Sequence, residues 1–290
     1  MTHLALAAAL AILAAPVAVQ AQDASSAAAT EWRAVAPDNL LIIDTTKGRI
    51  LVEMAPQVAP GHVERIRLLA GRSFYDNIPW HRVIDLFMAQ TGDPLGNGEG
   101  QSHYPDLKAE FTFRRGAEMG FTTVASPQGA ALGFIGSLPV QTQADALMAT
   151  TADNKVSAWG AYCPGVAGMA RDEGADTANS QFFLMRQAYP SLDKRYTVWG
   201  RVVSGLDVVR SLQIGDGDNG MMAQATPDRM TRVRVAADLP EAERPAVQVL
   251  DTGSATFRAL ADRARSARGA DFSICDIELP VQVSGAAPPA

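Results

Sequence analysis

The sequence predicts a mainly-β protein built on a closed antiparallel barrel, and three observations support this prediction. The strand-like segments are short and rich in β-branched and aromatic residues. Turns that contain Gly or Pro separate them, and only two short helical segments interrupt the central part of the chain. At 290 residues, with 47% hydrophobic and 19% charged positions, the chain is able to bury the core that such a barrel requires.

The first elements follow from local patterns. Asn39 to Met54 holds two apolar runs around the turn Thr46-Lys47-Gly48, which predicts a hairpin. Pro60 suits the first turn of a helix that should end near Gly71. Trp80 to Met88 combines β-branched and aromatic residues and predicts a strand, and a glycine-rich turn follows from Gly92 to Gly100.

The remaining elements of the barrel come from the second half of the chain. Strands are predicted at Ser180 to Leu184 and at Tyr196 to Val203. A second short helix fits Leu206 to Leu212, and the alternating segment Met230 to Val235 predicts a closing strand.

The N-terminus is typical of an export signal. Residues 4–19 are apolar, and the small residues up to Ala21 suit cleavage there, so we expect a signal peptide over 1–21 and a linker over 22–38. No Lys or Arg precedes the apolar run, and a buried or membrane-spanning helix is the alternative, although about 16 apolar residues are short for a span of roughly 20. We therefore expect a periplasmic or secreted protein without a membrane anchor after cleavage.

Two segments carry the strongest functional signal. FYDNIPWHRVIDLFMAQTGDP runs from Phe74 to Pro94, and the second runs from Gly165 to Gly200. Together they resemble the two signature blocks of cyclophilins, the peptidyl-prolyl cis/trans isomerases. The resemblance implies a barrel of eight strands capped by two helices, and it implies an enzyme that needs no cofactor.

The first block matches the family pattern HR-x4-FM-x-Q at His81, Arg82, Phe87, Met88 and Gln90. In that pattern the arginine is the catalytic donor and the glutamine holds it. This chemistry suits an isomerase, since rotation about an X-Pro bond needs an apolar pocket for the ring and a donor to the twisted amide, but no nucleophile.

The second block supplies the other wall by resemblance. Phe183 and Leu192 complete the proline pocket formed by Phe87 and Met88, and Gln181 contacts the substrate. The resemblance also implies that the backbone at Ala170 and Arg171 pairs with an extended polypeptide and that Tyr196 lines the pocket.

The sequence departs from the family at three positions. Ser191 stands where drug-sensitive members carry tryptophan, which predicts weak cyclosporin binding without loss of catalysis. Tyr196 replaces a histidine and still offers a ring and one hydrogen bond, and Arg171 replaces an asparagine.

The resemblance covers residues 39–239 and leaves two segments unexplained. Residues 116–162 have no counterpart in the minimal family barrel and are predicted to be an ordered insertion. Residues 240–290 form a C-terminal appendage with a linker at 241–245, a helix at 256–268 and a strand at 272–283.

Other chemistry finds little support in the sequence. Four scattered histidines and two cysteines give no metal-ligand spacing. The net charge of -6 comes without a basic run, which disfavours nucleic acid as a partner. Cys163 and Cys275 permit one disulfide in an oxidising compartment, and two buried free thiols are the alternative.

Alternatives to catalysis also remain at this stage. Arg82 taken alone could be a structural ion-pair partner of Asp85 or Asp93. The whole chain could be a non-catalytic peptide-binding or chaperone module that acts through the insertion 116–162. The leading hypothesis is an exported isomerase that acts on proline-containing polypeptides and assists the folding of exported proteins.

Overall fold

The computed structural model describes residues 31–285, so the predicted signal peptide at 1–21 lies outside the described residues. The described chain is mainly β, as predicted, with three antiparallel sheets. Its strands are β1 (Trp32–Ala34), β2 (Leu40–Thr45), β3 (Gly48–Met54), β4 (Ile78–Pro79), β5 (Arg82–Ile84), β6 (Met88–Thr91), β7 (Phe113–Arg115), β8 (Phe121–Ala125), β9 (Ala130–Ile135), β10 (Leu138–Gln143), β11 (Val156–Gly160), β12 (Val166–Met169), β13 (Phe182–Met185), β14 (Val198–Ser204), β15 (Arg229–Val235), β16 (Pro245–Leu250) and β17 (Val281–Gly285). Its α-helices are α1 (Pro60–Gly71), α2 (Leu206–Ser211) and α3 (Ala255–Arg268).

The main sheet has nine strands in the order β4-β15-β2-β3-β14-β12-β13-β6-β5. Its first and last strands, β4 and β5, are separated in sequence by only Trp80 and His81, so the sheet curls strongly, although β4 and β5 do not pair with each other. The count exceeds the predicted eight because the single segment 78–84 contributes a short strand to each end, pairing with β15 through β4 and with β6 through β5.

The predicted continuous strand from Trp80 to Met88 is wrong, because a turn divides this segment between two strands. The chain turns at Asp85 to Phe87, and Leu86 adopts a left-handed backbone with φ 52°. β5 and β6 are therefore the two arms of a short antiparallel hairpin. This turn takes Phe87 out of the ladder and places it at the tip.

Aromatic packing fills the inside of the main sheet. The buried ring of Phe182 makes edge contacts with Tyr75, Trp80 and Trp199 at centroid distances of 5.5, 6.2 and 5.5 Å. Helix α1 begins at Pro60, as predicted, and packs its apolar face on the same core. This core makes the strands behind the functional face rigid.

Residues 113–160 form a sheet of their own, with strand order β7-β11-β10-β9-β8. It takes up most of the predicted insertion 116–162 and begins three residues before it. Phe134 of this sheet packs edge-on against Phe257 of helix α3 at 5.6 Å. The insertion and the C-terminal appendage therefore share a core.

The third sheet joins the two ends of the described chain. β16 pairs with β1 on one side and with β17 on the other. The prediction of a linker over 22–38 is thus wrong from Trp32 onward. β16 begins at Pro245, the last residue of the segment predicted as a linker at 241–245. The strand predicted at 272–283 is wrong in its bounds, because the observed strand spans Val281–Gly285. Local sequence misses β1 because three residues are too few to show a strand pattern.

The appendage is also tied down covalently and by its helix. Helix α3 spans Ala255–Arg268, close to the predicted 256–268, and Ser254 caps it by accepting from the Phe257 N–H. Cys163 and Cys275 form a disulfide between the end of the five-stranded sheet and the appendage. Within residues 31–285, no helix is long and apolar enough to cross a membrane.

Candidate active site

Strand register brings the two polar residues of the first motif together. Arg82 on β5 lies directly opposite Gln90 on β6, and Phe183 on β13 lies opposite Gln90 on its other side. Directly opposed residues of antiparallel strands point to the same face. The three side chains therefore share the face of the sheet on which the candidate site lies.

A chain of hydrogen bonds runs across this face. The Arg82 Nη1 donates to Gln90 Oε1 at 3.0 Å, and Gln90 Nε2 donates to Gln181 Oε1 at 2.9 Å. Gln181 Nε2 in turn donates to the carbonyl oxygens of Gly98 and Gly100 at 2.8 and 2.9 Å. We call these three side chains the amide relay.

The direction of the relay is set by its last partners. The carbonyls of Gly98 and Gly100 can only accept, so the Gln181 amide must turn its nitrogen towards them. The Gln181 oxygen then faces Gln90 and accepts from the Gln90 amide nitrogen. This orientation turns the Gln90 oxygen towards Arg82. The relay therefore fixes an acceptor, and not a donor, against the guanidinium.

A buried carboxylate shapes the turn that ends the relay. Asp93 accepts backbone N–H bonds from Leu95, Asn97 and Gly98 at 2.7, 2.9 and 2.6 Å. Burial alone raises the pKa of Asp93, but the N–H donors outweigh it and lower the pKa overall. Asp93 is thus an ionised anchor of the turn, and it is not the partner of Arg82.

The second contact of Arg82 was missed at the sequence level. Its Nε donates to the main-chain carbonyl of Asn219 at 2.9 Å. Asn219 has φ 54°, and Gly220 beside it is packed so closely that a Cβ there would lie 2.4 Å from Ile84 Cγ1. A carbonyl carries no side-chain signature, so no sequence motif could have revealed this positioning contact.

The ion-pair alternative for Arg82 does not hold in the described residues. Asp85 pairs with Arg186 at 3.4 Å, and Asp93 bonds to the backbone as above. Burial lowers the pKa of Arg82 below its ordinary value, while Tyr196 acts in the opposite direction. A guanidinium nonetheless stays charged at neutral pH, so the site holds a cation bonded only to neutral acceptors.

Arg82 opens into a cavity of about 210 Å³, which we call the apolar cavity because six of its nine lining residues are aliphatic or aromatic, while Arg82, Gln90 and Arg171 are polar. Its lining comprises nine of the sequence-predicted site residues: Arg82, Phe87, Met88, Gln90, Ala170, Arg171, Phe183, Leu192 and Tyr196. No described residue between 116 and 162 lines it, so the five-stranded sheet leaves this cavity uncovered.

The cavity walls are held by aromatic contacts. Phe183 stacks on buried Tyr162 at 5.9 Å and meets Tyr196 edge-on at 5.8 Å. The guanidinium of Arg171 lies 4.6 Å from the Tyr196 ring and donates two bonds to the Arg195 carbonyl. The arginine that replaces the family asparagine therefore braces the Tyr196 wall through its side chain.

A second, polar cavity of about 300 Å³ adjoins the first and shares Gln90, Ala170 and Arg171 with it. Gln181, predicted to contact substrate, lines this polar cavity and not the apolar one. The Ala170 N–H donates to the Gln181 carbonyl at 2.9 Å, so it is already engaged and does not pair with a substrate. The predicted main-chain pairing at this position would have to use the Ala170 carbonyl.

The two cysteines lie away from the cavities but connect to their support. Cys163 directly follows Tyr162, whose ring backs Phe183. In the part of the chain that the structure describes, no group of three or more His, Cys, Asp or Glu side chains could hold a metal ion.

Comparisons with known proteins agree on one family. The family model described as cyclophilin type peptidyl-prolyl cis-trans isomerase matches residues 40–235. A probable peptidyl-prolyl cis-trans isomerase of Brucella suis is 32% identical over 214 residues, covering 70% of this chain and 85% of the relative. Peptidyl-prolyl cis-trans isomerase-like 1 of Aspergillus fumigatus is 30% identical over 172 residues, covering 59% and 80%.

A solved structure extends the likeness beyond the matched segment. The crystal structure of the cyclophilin AquaCyp293 from Hirschia baltica superposes with a TM-score of 0.80 at 32% identity. The match covers 95% of this chain and 99% of that one. It therefore includes the additional sheet and the appendage as well as the main sheet.

Proposed function

This chain belongs to the cyclophilin-type peptidyl-prolyl cis/trans isomerases, and we propose that Arg82 is the group through which it accelerates rotation about X-Pro bonds. The proline ring occupies the apolar cavity between Phe87, Met88, Phe183 and Leu192. Tyr196 closes the side of the cavity towards Arg171. The substrate is a proline-containing polypeptide that crosses the face of the sheet.

The reaction needs stabilisation of one state only. Planarity of the X-Pro amide creates a barrier of about 18–20 kcal/mol, and as the bond twists the proline nitrogen regains its lone pair. An N–H of Arg82 donates a hydrogen bond to that nitrogen. The nitrogen of a planar amide could not accept this bond, because its lone pair is delocalised into the carbonyl. The bond therefore forms in the transition state and not in the ground state, which is what acceleration requires.

The single observation that carries this role is the fixed guanidinium beside the cavity walls that Phe87, Met88, Phe183 and Leu192 form. Two of its five N–H groups are bonded, one to the Asn219 carbonyl and one to Gln90. These contacts lie on two different edges of the planar group and prevent its rotation. The remaining N–H groups are available to a substrate at no reorganisation cost.

The test is the kcat/KM of an Ala-Pro peptide for the mature chain and its Arg82→Ala variant. A hydrogen bond to a charged group is worth about 1.5–3 kcal/mol, and each 1.4 kcal/mol is tenfold in rate, so we expect a loss of about 100-fold. Arg67→Ala on helix α1 is the matched control, because the Arg67 side chain donates to the Asp38 carbonyl and to Asn39 Oδ1 and lines neither cavity. An Arg82→Ala variant as active as wild type would remove Arg82 from the mechanism.

We further propose that the enzyme is exported and assists the folding of exported proteins. The apolar stretch before Ala21 and the disulfide between Cys163 and Cys275 support this location, since disulfides persist in oxidising compartments. Cell fractionation with N-terminal sequencing of the mature protein tests it. A cytoplasmic protein that retains Met1 would contradict the proposal.

A further inference from the structure

One residue beside the apolar cavity is placed against its own conformational preference. Leu86, at the tip of the β5–β6 hairpin, has φ 52° and a side chain that is 69% exposed. Glycine and asparagine adopt the left-handed region more readily than leucine, and exposure removes any burial gain. A polar residue such as asparagine would therefore stabilise the hairpin more than Leu86 does.

The hairpin tip is nevertheless held firmly. The Arg186 N–H donates to the Phe87 carbonyl at 2.8 Å, and Asp85 forms an ion pair with the Arg186 side chain. Buried Arg186 also donates to the Arg210 carbonyl at 2.6 Å. The exposed leucine thus stands on a fixed support and not on a loose loop.

A second exposed apolar side chain continues the surface. Tyr189, 43% exposed, lies against Phe87 with ring centroids 4.5 Å apart, and Phe87 lines the apolar cavity. The Tyr189 N–H donates to the Tyr162 carbonyl at 2.8 Å, which fixes its backbone to the support of the cavity. We call Leu86, Phe87 and Tyr189 the apolar rim.

The two sides of the apolar cavity consequently differ in chemistry. The polar cavity with Gln181 adjoins it through Gln90, whereas the apolar rim adjoins it through Phe87. An extended polypeptide advances about 3.3 Å per residue, so the residue next to a bound proline reaches the rim. Its apolar side chain would cover surface that is otherwise exposed to water.

We propose that the apolar rim binds a bulky apolar side chain of the substrate residue adjacent to proline, so that the enzyme prefers X-Pro sites flanked on one side by such a residue. This inference rests on the proposed isomerase function. Large apolar residues are exposed in unfolded chains and are most often buried in folded ones. The preferred substrates are accordingly unfolded polypeptides.

The experiment uses two peptide series with the full mature chain. One series varies the residue before proline and the other the residue after it, each with Ala, Leu, Phe and Gln. Gln is the polar comparator because Asp85 would repel Glu through charge alone. If the rim buries about half of a substrate leucine side chain, the gain of about 1.4 kcal/mol predicts a kcat/KM about tenfold higher for Leu or Phe than for Gln in one of the series.

The variants Leu86→Asn and Tyr189→Ala should each reduce this Leu/Gln ratio to about threefold or less. Asn suits a left-handed backbone, so Leu86→Asn keeps the hairpin, and circular dichroism confirms the fold of both variants. Leu147→Ala, at another exposed leucine outside the cavities, is the control and should leave the ratio unchanged.

The outcomes separate the inference from the function on which it rests. Equal turnover of all peptides by wild type, or an unchanged ratio in both rim variants, would overturn the rim while leaving the isomerase intact. No turnover of any peptide would overturn the proposed function, and the rim with it. A wild-type dimer that both rim variants dissociate, without change in the ratio, would make the rim a contact between copies and refute substrate binding there.

Discussion

Replacing Gln90 with Met tests whether the amide relay orients the Arg82 guanidinium, which we propose to be the catalytic group. Met fills a similar volume, but it neither accepts from Arg82 nor donates to Gln181, so both links of the relay at this position are lost. Arg82 keeps its bond to the Asn219 carbonyl. The guanidinium is then held on one edge only and samples orientations that do not face the proline nitrogen.

The expected magnitude follows from the bond that is lost. A hydrogen bond to a charged group is worth about 1.5–3 kcal/mol, and because Arg82 is only half-buried, water replaces part of it, which leaves about 1.5–2 kcal/mol. At 1.36 kcal/mol per factor of ten, kcat/KM should fall about 10- to 30-fold. The loss should appear mainly in kcat, since the proline walls that bind the ground state are unchanged.

The assay is kcat and KM for one X-Pro peptide at pH 7.5, with the midpoint of urea unfolding measured beside it. Gln143→Met is the matched control: Gln143 also accepts one hydrogen bond, from the Ser157 N–H at 2.9 Å, but lies on β10 outside both cavities. A Gln90→Met enzyme within twofold of wild type would refute orientation by the relay. An equal loss in the control would assign the effect to stability.

Two further predictions concern stability. Cys275→Ser should lower the free energy of unfolding by about 3 kcal/mol or more, measured by urea unfolding, because the disulfide joins residues 112 apart in sequence. Burial raises the pKa of Asp193 from 3.8 to about 6, against opposing effects of the Tyr162 N–H and Lys194. The folded state thus disfavours the carboxylate, so the stability that protonated Asp193 contributes is fully present below pH 3.8 and is lost as pH rises through about 6. Asp193→Asn should therefore be about 1.5 kcal/mol more stable than wild type at pH 8, after allowance for partial exposure, and equal to it at pH 3.5.

Each of these has a contradicting result. A loss below about 1 kcal/mol in Cys275→Ser would mean that the apolar contacts of Phe257 and Ile274 hold the appendage without the disulfide. A stability difference between Asp193→Asn and wild type that does not change with pH would remove the carboxylate as its cause.

Local patterns sufficed for the elements whose stability is local. The hairpin of β2 and β3, helix α1 with Pro60 in its first turn, and helix α3 were all predicted within a few residues. They could be predicted because a turn, a helix cap or a periodic apolar face depends only on residues that are neighbours in the sequence. Strand β1 was not, since it has only three residues and Trp32 pairs with the distant Leu250. Strand β16 was overlooked, although Val247, Gln248 and Val249 alternate as in a half-buried strand.

In the candidate site too, the local features could be predicted and the features that depend on the fold could not. The motif that holds Arg82 and Gln90 is compact, because a short hairpin places residues eight apart opposite each other. The sequence also indicated the apolar residues of the cavity, but only through resemblance to a family. The break at Leu86, which takes Phe87 to the hairpin tip, was invisible to strand propensity.

The sequence by itself determined which side chains this protein has for isomerase chemistry and the family to which they point. Only the tertiary structure decided how those groups are oriented. The Asn219 carbonyl reaches Arg82 from 137 positions away, and the Gly98 and Gly100 carbonyls set the direction of the relay. Main-chain carbonyls are the same in every residue, so where they point depends on the fold and leaves no trace in the sequence.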